Sequence, residues 1–242
     1  MTRHVAPAAA VLIALLFIVG PSLARLAFLV DPPVSANPTD MAFALHRPTG
    51  FLHIVPGLVM VALMPIQASR RLRLRWPAIH RWSGRLFVLV GLSLCASAVA
   101  MNIRFPVVGG LLKVTVIYAM CVAQLATLAL GVRAIRRRDV SGHRKWMVRA
   151  MGVALSGGSA GVFVVPFYLM GEVTDLVVGV GRWLGFLGTV AVVEWWLRSY
   201  GPFQPPWKAQ AVGHVSEPGG QVPSERHAFA PDTRPPFLQS QK

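Results

Sequence analysis

The chain has 242 residues, of which 54% are hydrophobic and 14% charged, with a mean hydropathy of +0.55. Soluble globular domains carry roughly 25% charged residues, so this composition excludes an ordinary soluble core. The apolar residues instead fall into blocks near the ~20-residue length that crosses a bilayer. The formal charge of +15 does not imply a nucleic-acid partner, because the basic residues lie between apolar blocks and not on a water-exposed domain carrying base-reading elements.

The first apolar block, Ala8 to Val30, follows Arg3 and His4. That is also how a signal peptide begins, with Ser22-Leu23-Ala24 as a passable cleavage site. A retained helix is expected, because apolar character continues through Leu26 to Val30. Asp31-Pro32-Pro33 ends it, since a residue before proline is pushed out of the helical region. The segment from 31 to 50 reads as an outer loop. Spans are then expected at Phe51–Ala68, Arg85–Ile103 with a helical lead-in from Pro77, Val107–Val132, Trp146–Met170 and Leu176–Leu197. Ser141 is the expected cap of the fifth span.

Charge placement orients this all-α, polytopic bundle of about six helices. The connection after span two holds Arg70, Arg71, Arg73, Arg75, Arg81 and Arg85. The connection after span four holds Arg133, Arg136, Arg137, Arg138, Arg144, Lys145 and Arg149. The remaining connections offer only Arg47, Arg104, Lys113 and Arg182. Thirteen basic residues against four place the basic connections in the cytoplasm, with both termini inside and the inner (plasma) membrane as the location. The expected organisation is residues 1–30 as first helix, 31–50 as outer loop, 51–200 as five-helix membrane domain and 201–242 as tail. In that tail prolines interrupt a polar stretch too poor in apolar surface to offset its ordering entropy.

Cys95 and Cys121 both lie inside apolar blocks, which argues for small core residues and not for a disulfide or a CxxC metal site. No phosphate loop, HExxH, GxSxG or paired carboxylates occur, so soluble-type hydrolase or kinase chemistry has no support. No particular reaction is assigned. Glu194 reads as paired with Arg198 at i+4. Gln67 and Gln124 read as interhelical hydrogen-bonding groups. The spacing of Gly157 with Gly161, and of Gly181 with Gly185, fits close helix packing.

Three histidines carry the chemical interest. His53 lies one turn inside the outer end of span two, with Gly57 at i+4. His80 sits in the first turn of the Pro77 helix, with Gly84 at i+4, and His143 stands in the first turn of the fifth span. A glycine one turn from an imidazole leaves the flat space that a porphyrin edge requires. His80 and His143 share the cytoplasmic face on helices two apart, the arrangement by which bundles ligate a haem. Arg81, Arg85, Arg144 and Arg149 would then meet the propionates. Ordinary interfacial anchoring explains the same residues equally simply. His53 has few partners in lipid, so it is either functional, with Gln67 or Tyr118, or a packing residue bonded to a carbonyl.

The elements His53-Ile-Val-Pro-Gly57, Met64-Pro65-Ile66-Gln67, Pro77-Ala78-Ile79-His80-Arg81-Trp82-Ser83-Gly84-Arg85 and Gly142-His143-Arg144-Lys145-Trp146-Met147-Val148-Arg149 resemble the predicted bacterial membrane proteins grouped as domain of unknown function 2306. The resemblance covers roughly Phe51 to Leu197. It implies a multi-helix membrane domain whose signature positions are His53, Gln67, His80, Arg81, Gly84, Arg85, His143, Arg144, Trp146 and Arg149. The plan is also similar to cytochrome b-like di-haem bundles, except that span four offers no histidine for a second haem. Two functions follow as expectations. One is a haem b or quinone-linked electron-transfer protein, possessing a redox partner. The other is a non-redox transporter subunit or assembly factor whose interfacial His and Arg residues bind lipid headgroups or a protein partner.

Overall fold

Proline and capping chemistry set the helix starts. Pro48 lies in the first turn of one helix and Pro77 opens another, where the missing N–H would be unsatisfied anyway. In the computed structural model, which describes residues 5–31, 38–105, 109–171 and 173–199, with side chains from Leu16 onward, the helices are α1 (Val5–Val30), α2 (Pro38–Leu45), α3 (Arg47–Ala68), α4 (Arg70–Arg75), α5 (Pro77–Arg104), α6 (Gly110–Arg136), α7 (Val140–Leu169) and α8 (Asp175–Ser199). Helices α3, α5, α6, α7 and α8 are each long and apolar enough to cross a membrane. Helix α1 has 26 residues and adds an apolar stretch over its described side chains, Leu16–Val30. The protein is a multi-pass, all-helical membrane bundle. The expected tail, 201–242, lies outside the described residues.

The spans fall where hydropathy put them, with longer ends. Helix α7 begins at Val140, two residues before the start that a Ser141 cap would give, because its cap is Asp139: Gly142 N donates to Asp139 Oδ1 at 2.8 Å. Helix α3 begins at Arg47. The extra turns are polar, so they project past the hydrocarbon and escape a hydropathy reading. Two short helices, α2 and α4, are additions. Ser69 caps α4 by accepting from Leu72 N at 3.2 Å.

Within the unit Met1–Pro202, neighbouring helices pack as a ring in the order α1, α3, α5, α6, α8, α7, with α6 also against α7. One core, in the half carrying the basic connections, joins Met60, Leu63 and Met64 of α3 to Phe87 and Val90 of α5, Leu128 of α6, and Met147 and Ala150 of α7. A second joins Val116, Val153 and Phe186.

Lipid is as apolar as leucine, so helix association relies on close packing and interhelical hydrogen bonds. Helices α7 and α8 achieve this through glycine. A Cβ at Gly185 would stand 2.5 Å from Ala160 N, and one at Gly152 would stand 2.6 Å from Val193 Cγ2. Ser159 Oγ adds a hydrogen bond to Gly185 O at 2.9 Å. The expected Gly157–Gly161 pair is used differently. Gly161 receives Phe17 of α1, while Gly157 faces open space.

Four basic residues counted as lying between spans (Arg47, Arg104, Lys113 and Arg182) are inside helices in the structure. Eleven of the thirteen on the other side are helical as well, with Arg137 and Arg138 outside, so the orientation rests on the sequence count. Reporter fusions after Arg138 and in the C-terminal tail are expected to report cytoplasm, and one at Asp40 the outside. An outside signal at the tail would contradict this orientation.

Candidate functional site

The basic end of the bundle gathers the signature side chains of α3, α5 and α7. Gln67, buried near the end of α3, donates through Nε2 to His80 O at 3.1 Å and to Ser83 Oγ at 2.5 Å. Ser83 Oγ passes its proton to Ile79 O at 2.6 Å. This ties the first turn of α5 to α3. It also gives Gly84 its use, since the Gln67 amide fills the space beside it, with Oε1 3.3 Å from where a Cβ would stand. Gly84 therefore accommodates an amide, not the porphyrin edge its spacing suggested. Gly57 likewise faces Leu94, at 3.6 Å.

His80 and His143 lie at the same end of the bundle, within electrostatic range of each other. His143 Nδ1 is 2.8 Å from Gly131 O of α6. A carbonyl only accepts, so Nδ1 is the donor, and in the neutral ring Nε2 is then the nitrogen with the lone pair, the tautomer in which imidazole binds a metal. His80 lies within electrostatic range of His143, Arg73 and Arg144, and its Nδ1 is buried with no hydrogen-bond partner among the described residues. Arg73, outside the spans on α4, is held below its ordinary pKa by partial burial first and then by the like charges of Arg144 and Arg70. Crowded cations beside two imidazoles favour an anionic group among them.

The four arginines named from the sequence separate. Arg144 joins this cluster. Arg149 does not: its Nε and Nη2 donate to Glu194 at 2.5 and 2.9 Å, and its guanidinium lies 4.7 Å from the Trp146 ring centroid. Glu194 is thus held by Arg149 across helices and not chiefly by Arg198 on its own helix. Arg85 stacks on Trp82 at 4.6 Å, and Arg81 is exposed. Arg73, overlooked in the sequence as a site residue, lies within electrostatic range of His80. Its only signal was membership of a basic run that orientation already explained.

His53 is at the opposite end. Its Nδ1 lies 3.0 Å from Ser97 Oγ, whose hydroxyl also has Ser93 O (2.8 Å) and Leu94 O (3.1 Å) as acceptors. Gln67 is fourteen residues away on the same helix, about 21 Å at 1.5 Å per residue, and Tyr118 is exposed. The structure brings neither of these suggested partners to His53. Instead, Arg182 of α8 lies within electrostatic range of both His53 and Lys113 of α6. Counting Lys113 and Arg182 as loop charges hid this convergence. Gln124 is buried in α6, yet its amide has no hydrogen-bond partner among the described residues, contrary to the interhelical bond expected of it. Cys95 and Cys121 are buried free thiols, each 3.8 Å from the other's carbonyl.

The basic end carries two imidazoles from different helices, one of them oriented through Nδ1, within electrostatic range of Arg73 and Arg144. No cluster of three or more metal-binding side chains occurs among the described residues. Residues 50–197 match the family model described as a predicted membrane protein, DUF2306. The chain belongs to the DUF2306 family. No curated protein and no solved structure matches it. The DUF2306 region begins at the first turn of α3 and ends within α8, so it holds both ends of the bundle described above and excludes α1.

Proposed function

We propose that this DUF2306 protein is a b-type haem protein of quinone-linked electron transfer in the bacterial inner membrane, with His80 and His143 as axial ligands on the cytoplasmic side. The observation that carries the reading is the His143 imidazole, whose Nδ1–H is committed to Gly131 O at 2.8 Å and whose Nε2 is left for iron, within electrostatic range of His80. When bound, the haem would supply reversible one-electron transfer, its potential tuned by ligand identity and burial.

The chain's own residues do the positioning. Gln67 fixes the His80 backbone through its carbonyl. Arg73 and Arg144 offer cationic partners for propionates, and a bound carboxylate would relieve their mutual repulsion. The packed Met60, Met64, Phe87 and Met147 exclude water from the bundle side of the histidines. Low dielectric there strengthens every interaction the site makes.

Purification in mild detergent from cells with ample haem, followed by an absorption spectrum, tests the reading. A Soret band and a sharp α band on reduction are expected. Their absence would overturn it in favour of the non-redox class.

A further inference from the structure

Beyond that reading, and independent of it, the α5–α6 face carries a groove that the histidine site does not use. Its α6 wall is Leu125, Leu128, Ala129, Val132, Arg133 and Arg136. These positions recur at i, i+3, i+4, i+7, i+8 and i+11, one continuous stripe of a helix. Val88 and Leu92 of α5, one turn apart, form the opposite wall, and Arg137 closes the basic end. The cavity is about 640 Å³, within the ~300–1,000 Å³ of small-molecule sites.

Its apolar part, Leu125 to Val132, runs about 10 Å, and the stripe reaches about 17 Å at Arg136, so the trough lies within one leaflet of the ~30 Å hydrocarbon. Leu92 and Leu125 are 47% and 40% exposed, so the groove opens sideways toward lipid. Apolar along its length and cationic only at its end, it has the polarity profile of one acyl chain with an anionic headgroup. The single carboxylate in the following connection, Asp139, is occupied in capping α7.

We propose that this groove is a binding site for an anionic phospholipid of the cytoplasmic leaflet, its phosphate held by Arg133, Arg136 and Arg137 and one acyl chain lying between α5 and α6. Orientation alone requires basic residues in this connection, but it does not require three of them on one helical face above an apolar trough.

The test is competition between phosphatidylglycerol and phosphatidylcholine of identical chains for the full-length protein in detergent, read as bound lipid by native mass spectrometry and as thermal stabilisation. Phosphatidylglycerol is expected to bind on the order of tenfold tighter. The preference should vanish in R133Q/R136Q/R137Q. It should vanish equally in Ala129→Trp, which fills the trough and leaves every charge in place. R70Q/R71Q, in the other basic connection, should keep it. Equal binding of the two lipids by the wild type would overturn the proposal. So would a preference that survives in Ala129→Trp, which would mean surface charge without a groove. Inorganic phosphate matching the lipid's stabilisation would also overturn it, by assigning the arginines to a free anion.

Discussion

Replacing Gly185 with alanine is expected to destabilise the bundle by about 1–3 kcal/mol, and with valine by more, because the first added carbon would meet backbone and not a movable side chain. Ala160 N and Cα lie only 2.5 and 2.6 Å from the position a Cβ would take. Relief therefore requires α7 and α8 to separate, which breaks the Ser159 hydrogen bond to Gly185 O as well. In lipid no hydrophobic force pulls the helices back together, so lost van der Waals contact is lost outright. Gly157→Ala and Gly188→Ala are the controls. Both glycines face open space, and surface changes of this kind stay within about 0.5 kcal/mol. Thermal unfolding in one detergent across the four variants checks the ranking. A Gly185→Ala variant as stable as Gly157→Ala would show that the α7–α8 contact is looser than described.

His80→Gln and His143→Gln are each expected to lower bound haem at least tenfold, while insertion and expression stay near wild type. Removing either imidazole takes away one of two axial ligands, and losses of about 10–100-fold follow even from changes one shell further out. Neither side chain belongs to the buried cores, so the bundle should persist without them. His53→Gln should leave the bands intact, since His53 bonds Ser97 at the other end of the bundle, and should instead lower thermal stability modestly. Haem content by absorbance at equal protein separates the three. A spectral component lost only in His53→Gln would mean a second site.

The span pattern was legible in the sequence because it depends on single-residue properties: apolar blocks of bilayer length, Asp31-Pro32-Pro33 as a stop, and basic connections. What hydropathy does not report is helix beyond the hydrocarbon, so the polar first turn of α3 and all of α4 were not expected. The capping of α7 by Asp139 shows the same limit, since Ser141 was an equally plausible cap by composition.

The site was legible only to the level of which end of the bundle each residue occupies. His80 and His143 shared an end, and each lies within electrostatic range of the other. Which side chains meet across helices is a matter of rotation about each axis, and that is invisible in spacing alone. Hence Gln67 proved to be the partner of His80's backbone and of Ser83, not of His53. Arg149 belongs to Glu194, and Arg73, from a helix not foreseen, lies within electrostatic range of His80. Small-residue motifs carry the same ambiguity. Gly157 and Gly185 look alike in the sequence, yet only Gly185 receives another backbone.

The most direct test of the His80–His143 account is low-temperature electron paramagnetic resonance of the purified, oxidised protein, because it reads the ligands of the iron themselves. The account predicts a low-spin bis-imidazole signal in the wild type that gives way to a high-spin signal or disappears in His143→Gln. Absence of any haem signal in the wild type, or a low-spin signal unchanged by His143→Gln, would contradict it.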